Sequence, residues 1–149
     1  MALEAGAAEL REVAVRLRAT GQVGLQRRMY RNIRLATAPA AERVRASAMA
    51  SLPREGGLNE WVAESVIKTS VTSGVRSAGV TLRMRKTGHD LKKINEGVVR
   101  HPVYGNTKVW AVTNVQPGFF TRPLEAMRPE VTAACVAAMR EAALEAGFR

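Results

Sequence analysis

The hydrophobic period of this chain changes twice, from helical to alternating after residue 58 and back to helical beyond an elbow that ends near Pro123, and that succession leaves few folds open. From Glu4 to about Thr20, the apolar residues Leu10, Val13 and Leu17 recur at helical spacing among Arg11, Glu12, Arg16 and Arg18, which predicts an amphipathic helix. Gly21 and Gly24 interrupt it, and Leu25, Met29, Ile33, Val44 and Ala48 then carry a second, longer helix. Pro39 has no amide hydrogen to donate, so a kink is expected there, or a restart with Pro39 in the first turn and Glu42 near the positive end. Ser51 to Leu58, with Pro53, Gly56 and Gly57, is turn chemistry and closes a helical part spanning 1–50.

Residues 66–72 and 80–85 are rich in β-branched side chains, alternate in polarity and flank a turn holding Gly74 and Gly79, the pattern of an antiparallel hairpin. In its second arm Val80, Leu82 and Met84 share one face and Thr81, Arg83 and Arg85 the other. Residues 86–108 have weak periodicity and carry Pro102 and several basic residues, which predicts a long basic loop. Lys108 to Val115 alternates as a third strand, with Trp110 as its anchor. The run Gln116-Pro117-Gly118-Phe119-Phe120-Thr121-Arg122-Pro123-Leu124 is a stiff elbow, because its prolines fix φ and Gly118 admits conformations other residues resist. An alanine-rich helix with Val131, Cys135, Met139 and Leu144 follows, stopped by Gly147. The expected fold is α+β: one domain over 1–149, with a small antiparallel sheet in 58–115 packed by the N-terminal helices and by the elbow and helix of 116–149.

Hydrophobic residues make up 46% of the chain, enough for a folded core, and no run of about 20 apolar residues occurs that would span a membrane. Cys135 is the only cysteine, so neither an intramolecular disulfide nor a cysteine-based zinc site can form. The 23 Lys and Arg against 13 acidic residues give a net charge of +10, and all of the excess lies before residue 109. Such a surplus favours polyanions without specifying sequence.

Catalysis requires an activated nucleophile, paired carboxylates or a metal. Asp90 is the only aspartate, His89 and His101 are the only histidines, and no metal-binding, phosphate-loop or serine-hydrolase motif occurs. An activity other than catalysis is expected, with no cofactor and no metal. Arg27, Arg31 and Arg34 share a helix face and lie beside Arg28; Arg83, Arg85, Lys86, Lys92 and Lys93 form a second basic group. Either group can meet phosphates or simply be solvated. Aromatic residues are 5% of the chain and none interleaves with these runs, so any contact with DNA would be electrostatic rather than by base stacking. The alanines of the last helix permit close approach, either to its own sheet or to a second subunit.

Three segments carry a family resemblance: Gly56-Gly57-Leu58, the stretch Gly97 to Gly105 with Tyr104, and the elbow from Pro117 to Ala126. In these the chain resembles the small neck proteins of long-tailed bacteriophages, the head-tail joining or tail-completion family. The resemblance implies a structural virion protein that forms a homo-oligomeric ring between the portal side of the capsid and the tail. DNA would pass through the lumen, other neck, portal-side or tail proteins would be its neighbours, and the subunit would wait in the host cytoplasm before assembly. Within that reading Tyr104, Phe119, Phe120, Leu124 and Met127 are candidates for a subunit interface, with the two phenylalanines anchoring the C-terminal helix. The competing expectation is a freestanding, non-specific nucleic-acid-binding protein using the basic residues above.

Overall fold

A computed structural model describes residues 7–73 and 78–147. Glu4, at the start of the first expected helix, and the turn residue Gly74 lie outside the described residues. The elements follow in the order α1 (Ala7–Ala19), α2 (Val23–Ser51), a 3-10 turn at Glu55–Gly57, α3 (Leu58–Ala63), β1 (Val66–Ser73), β2 (Ala78–Arg85), α4 (Leu91–Asn95), β3 (Val98–Val103), β4 (Asn106–Asn114) and α5 (Thr121–Glu145). The class is α+β, with helices before and after the strands. The strands form two separate antiparallel pairs, β1 with β2 and β3 with β4, rather than the single three-stranded sheet expected. The chain divides into two compact units, one drawn from Met1–Ala41, Lys68–Arg83 and Ala126–Arg149, the other from Glu42–Ile67 and Met84–Glu125.

In the first unit α1 buries Leu10, Ala14 and Leu17, and α2 buries Met29, Ile33, Thr37 and Ala40, each set following one helical stripe. Val80 and Leu82 of β2 are buried and Arg83 is exposed, as the alternation requires. The buried side of α5 is Val131, Cys135, Ala138, Met139 and Ala142. Polar groups inside this unit are partnered: Gln26 donates to the Tyr30 hydroxyl at 3.0 Å, Tyr30 bonds Ser73, and Thr37 Oγ1 bonds the Arg34 carbonyl at 2.9 Å and Thr69 Oγ1 at 3.1 Å. Pro39 does not start a new helix, as a restart would require; α2 continues through it. The residue deprived of its helical partner is Leu35, and Leu35 and Pro39 are both exposed, so water can satisfy the open carbonyl. Pro129 sits likewise on the exposed side of α5, four residues after the exposed Glu125.

The second unit buries Val44, Ala48 and Leu52 from α2, Val62 from α3, Leu91 and Ile94 from α4, Val99, Phe119, Phe120 and Leu124. The loop expected over 86–108 is instead structured, holding α4, β3 and a tight turn. Helix α4 exists because Asp90 caps it, its carboxylate accepting from the backbone amides of Lys92 at 2.9 Å and Lys93 at 3.3 Å while Leu91 and Ile94 face inward. Asn95, at the end of α4, organises the elbow: its carbonyl accepts from Gly118 N at 2.8 Å, and its Oδ1 accepts from Phe120 N at 2.9 Å and Thr121 N at 3.3 Å. Those two amides open α5 and have no intrahelical acceptor, so Asn95 acts as a cap supplied from another element. Gly118 has φ +89°, a left-handed backbone that favours glycine, and a Cβ there would stand 2.8 Å from Arg122 Cγ, so the arginine side chain would have to shift to admit one.

A projecting β arm with an open face and a cleft at its base

The β3–β4 hairpin pairs Val98 with Asn114, Val99 with Thr113, Arg100 with Val112, His101 with Ala111 and Pro102 with Trp110. Successive side chains point to opposite sides, so Val99, His101, Ala111 and Thr113 share one face while Arg100, Pro102, Trp110 and Val112 share the other. Pro102 is tolerated because each strand of a two-stranded sheet has a free edge. Beyond Pro102 the register shifts: Val103 pairs with Asn106, and Thr107, Lys108 and Val109 bulge from β4. The bulge is shaped by two hydrogen bonds, Trp110 Nε1 to the Thr107 carbonyl at 2.9 Å and Lys108 N to Asn106 Oδ1 at 3.0 Å.

The second face is open. Trp110 is 50% exposed and Val112 61%, and Tyr104 at the tip is fully exposed. Trp110 therefore does not anchor its strand into a core, as expected from sequence, but stands on the outward side. Single exposed apolar residues are normal on a protein surface, but Trp110 and Val112 adjoin on one face of a narrow hairpin.

The other face forms one wall of a cleft of about 460 Å³, with Val99, His101, Thr113 and Val115 on the hairpin side. The opposite wall comes from the turn before α3 and from α3 itself, through Pro53, Glu55, Leu58 and Trp61, with His89 beside them. Trp61 is held firmly: His89 meets its ring edge-on at 5.1 Å between centroids, the Lys86 ammonium lies 5.0 Å over it, and a Cβ on Gly88 would be 3.1 Å from it. His101 Nε2 is 3.0 Å from Thr113 Oγ1 across the ladder. Among the described residues no group of three or more His, Cys, Asp and Glu side chains converges as metal ligands would. Cys135 is buried, and burial pushes its thiol above the ordinary range, away from thiolate reactivity. Among the described residues no helix is long and apolar enough to cross a membrane.

The basic residues singled out from sequence fall into distinct environments. Arg27, Arg31 and Arg34 lie on one exposed stripe of α2, and none is in an ion pair among the described residues; Arg28 points aside and pairs with Glu145 at 2.8 Å. Arg83, Arg85 and Lys92 are exposed, and Lys93 pairs with Glu96 at 3.2 Å. Lys86 is committed to the chain itself, its ammonium donating to the Trp61 carbonyl at 2.7 Å and to Glu64 at 3.3 Å. Of the interface candidates, Tyr104 alone is exposed. Phe119 and Phe120 are each 1% exposed, and Leu124 and Met127 are also buried, so these four are interior residues of the chain rather than a surface for a second subunit. The elbow's apolar run is explained by its own core. Sequence reasoning missed Asn95 and the Trp61 cleft; the signal for the first was Asp90 ahead of Leu91 and Ile94, a capped short helix whose end had to lie near something. Compared with protein-family models, with curated proteins and with solved structures, the chain matches none.

Proposed function

We propose that the protein is a structural subunit of a long-tailed bacteriophage neck, a head-tail connector or tail-completion protein that assembles into a homo-oligomeric ring through which DNA passes. The observation that carries this reading is the β3–β4 arm, which presents Tyr104, Trp110 and Val112 to solvent beyond a well-formed core. A monomer gains nothing by exposing that face, whereas a ring subunit covers it against a neighbour. The exposed arginine stripe of α2 gives a polyanion such as DNA an electrostatic surface without base readout. Native mass spectrometry and negative-stain imaging of the purified chain, alone and with neighbouring virion proteins, should show rings. A chain that remained monomeric and was absent from virions would sink the proposal.

A second reading, a dedicated non-specific nucleic-acid binder, is favoured by Arg27, Arg31 and Arg34 alone. It requires binding at near-physiological ionic strength with a steep linear loss against log salt. A chain that binds duplex DNA hardly at all unless assembled would rule it out.

A further inference from the structure

We infer that the arm's tip inserts Tyr104 into the cleft at the arm's base on a second copy of this chain, with Lys108 meeting Glu55 at the rim. This names the contact that would build the ring, and it rests on the ring reading. The turn is the first ground. Val103 and Asn106 pair across a two-residue link, and that link, Tyr104 and Gly105, has φ of +48° and +76°. Hairpin links of this kind favour Asn, Asp and Gly because both positions are left-handed. A bulky side chain is disfavoured there, and since Tyr104 is fully exposed, no packing among the described residues offsets the strain. Its ring is positioned for something outside.

The cleft supplies a matching site. Its volume of about 460 Å³ falls in the range of sites that enclose a sizeable group. Pro53, Leu58 and Val115 make it apolar, and the fixed ring of Trp61 offers an edge or face to a second aromatic. Charge agrees. Residues 97–124 contain no acid but carry Arg100, Lys108 and Arg122, while Glu55 is the one acidic residue in the lining and Glu60 follows on α3.

The chain cannot fill its own cleft. His101 already lines it, and Tyr104 lies three residues farther along a strand, roughly 10 Å away at the usual rise. Folding back would break the pairing of Pro102 with Trp110 and of Val103 with Asn106. The donor is therefore another copy, and on the ring reading the tip of each copy enters the cleft of the next, a head-to-tail contact that a reciprocal two-fold dimer in native mass spectrometry would overturn.

The test uses the full chain, followed by native mass spectrometry and light scattering. Tyr104→Asn suits the turn better, so the variant should melt no lower than the parent while assembling at least tenfold more weakly. Lys108→Glu and Glu55→Lys should each weaken assembly, and the double variant should recover it. Mixing Tyr104→Cys chains with Leu58→Cys chains under mild oxidation should give a covalent heterodimer that neither gives alone. Assembly of Tyr104→Asn equal to the parent, no recovery in the charge swap, or no mixed disulfide each overturns the docking while leaving a ring built by other contacts. A parent chain that is monomeric at every concentration overturns the ring and the docking together.

Discussion

Two neighbouring stretches of the second unit carry the chain's most conspicuous aromatic pairs, and they end in opposite environments. In the elbow, Phe119 and Phe120 follow a proline and a glycine and are each 1% exposed. In the arm, Tyr104 and Trp110 flank a glycine turn, and Trp110 is 50% exposed. The elbow is bonded to the end of α4, where Asn95 accepts from the amides of Gly118, Phe120 and Thr121. In the arm the hydrogen bonds run from strand to strand, from Val115 N to the Gly97 carbonyl at 2.9 Å near its base out to the pair of Val103 with Asn106. Proline, glycine and aromatic residues in one short run thus serve a core in one place and a surface in the other.

That contrast can be broken by substitution. Phe119→Ala or Phe120→Ala should destabilise the fold by about 3–5 kcal/mol, a large part of a typical domain's 5–15 kcal/mol, measured by denaturant unfolding. A loss below about 1 kcal/mol would mean the elbow is not core. Asn95→Ala leaves two helix-opening amides without an acceptor and should cost about 2 kcal/mol in the same assay. Gly118→Ala forces a side chain into a left-handed position against Arg122 and should cost on the order of 1–2 kcal/mol. Smallest is Val112→Thr on the open face, which should change stability by no more than about 0.5 kcal/mol while lowering the assembled fraction. If it unfolded the chain as readily as Phe119→Ala, the arm would belong to the core and the comparison would fail.

Much of the framework was legible. The helical stripes of α1, α2 and α5 and the β1–β2 hairpin lie where spacing placed them, because each depends on residues three, four or two apart in the chain. Residues 86–108 read as loop from spacing alone because α4 has five residues and β3 contains Pro102, so neither holds a full period. Yet Asp90 ahead of two apolar residues, and Tyr104-Gly105-Asn106 between two short apolar runs, were cues to a cap and a turn. The outcome at Pro39 was not legible, since whether a proline breaks a helix depends on where the freed carbonyl points, and Leu35 proved to face water.

The amino-acid sequence by itself determined the α+β class, the two long helices, the elbow's position and a basic charge concentrated before residue 109. Each follows from composition or from periodicity over a few residues. Only the tertiary structure decided which aromatics are core and which are displayed, that Lys86 steadies Trp61, and that α3 and the hairpin enclose a cleft. Burial is a property of what packs from distant parts of the chain, and no local pattern contains it.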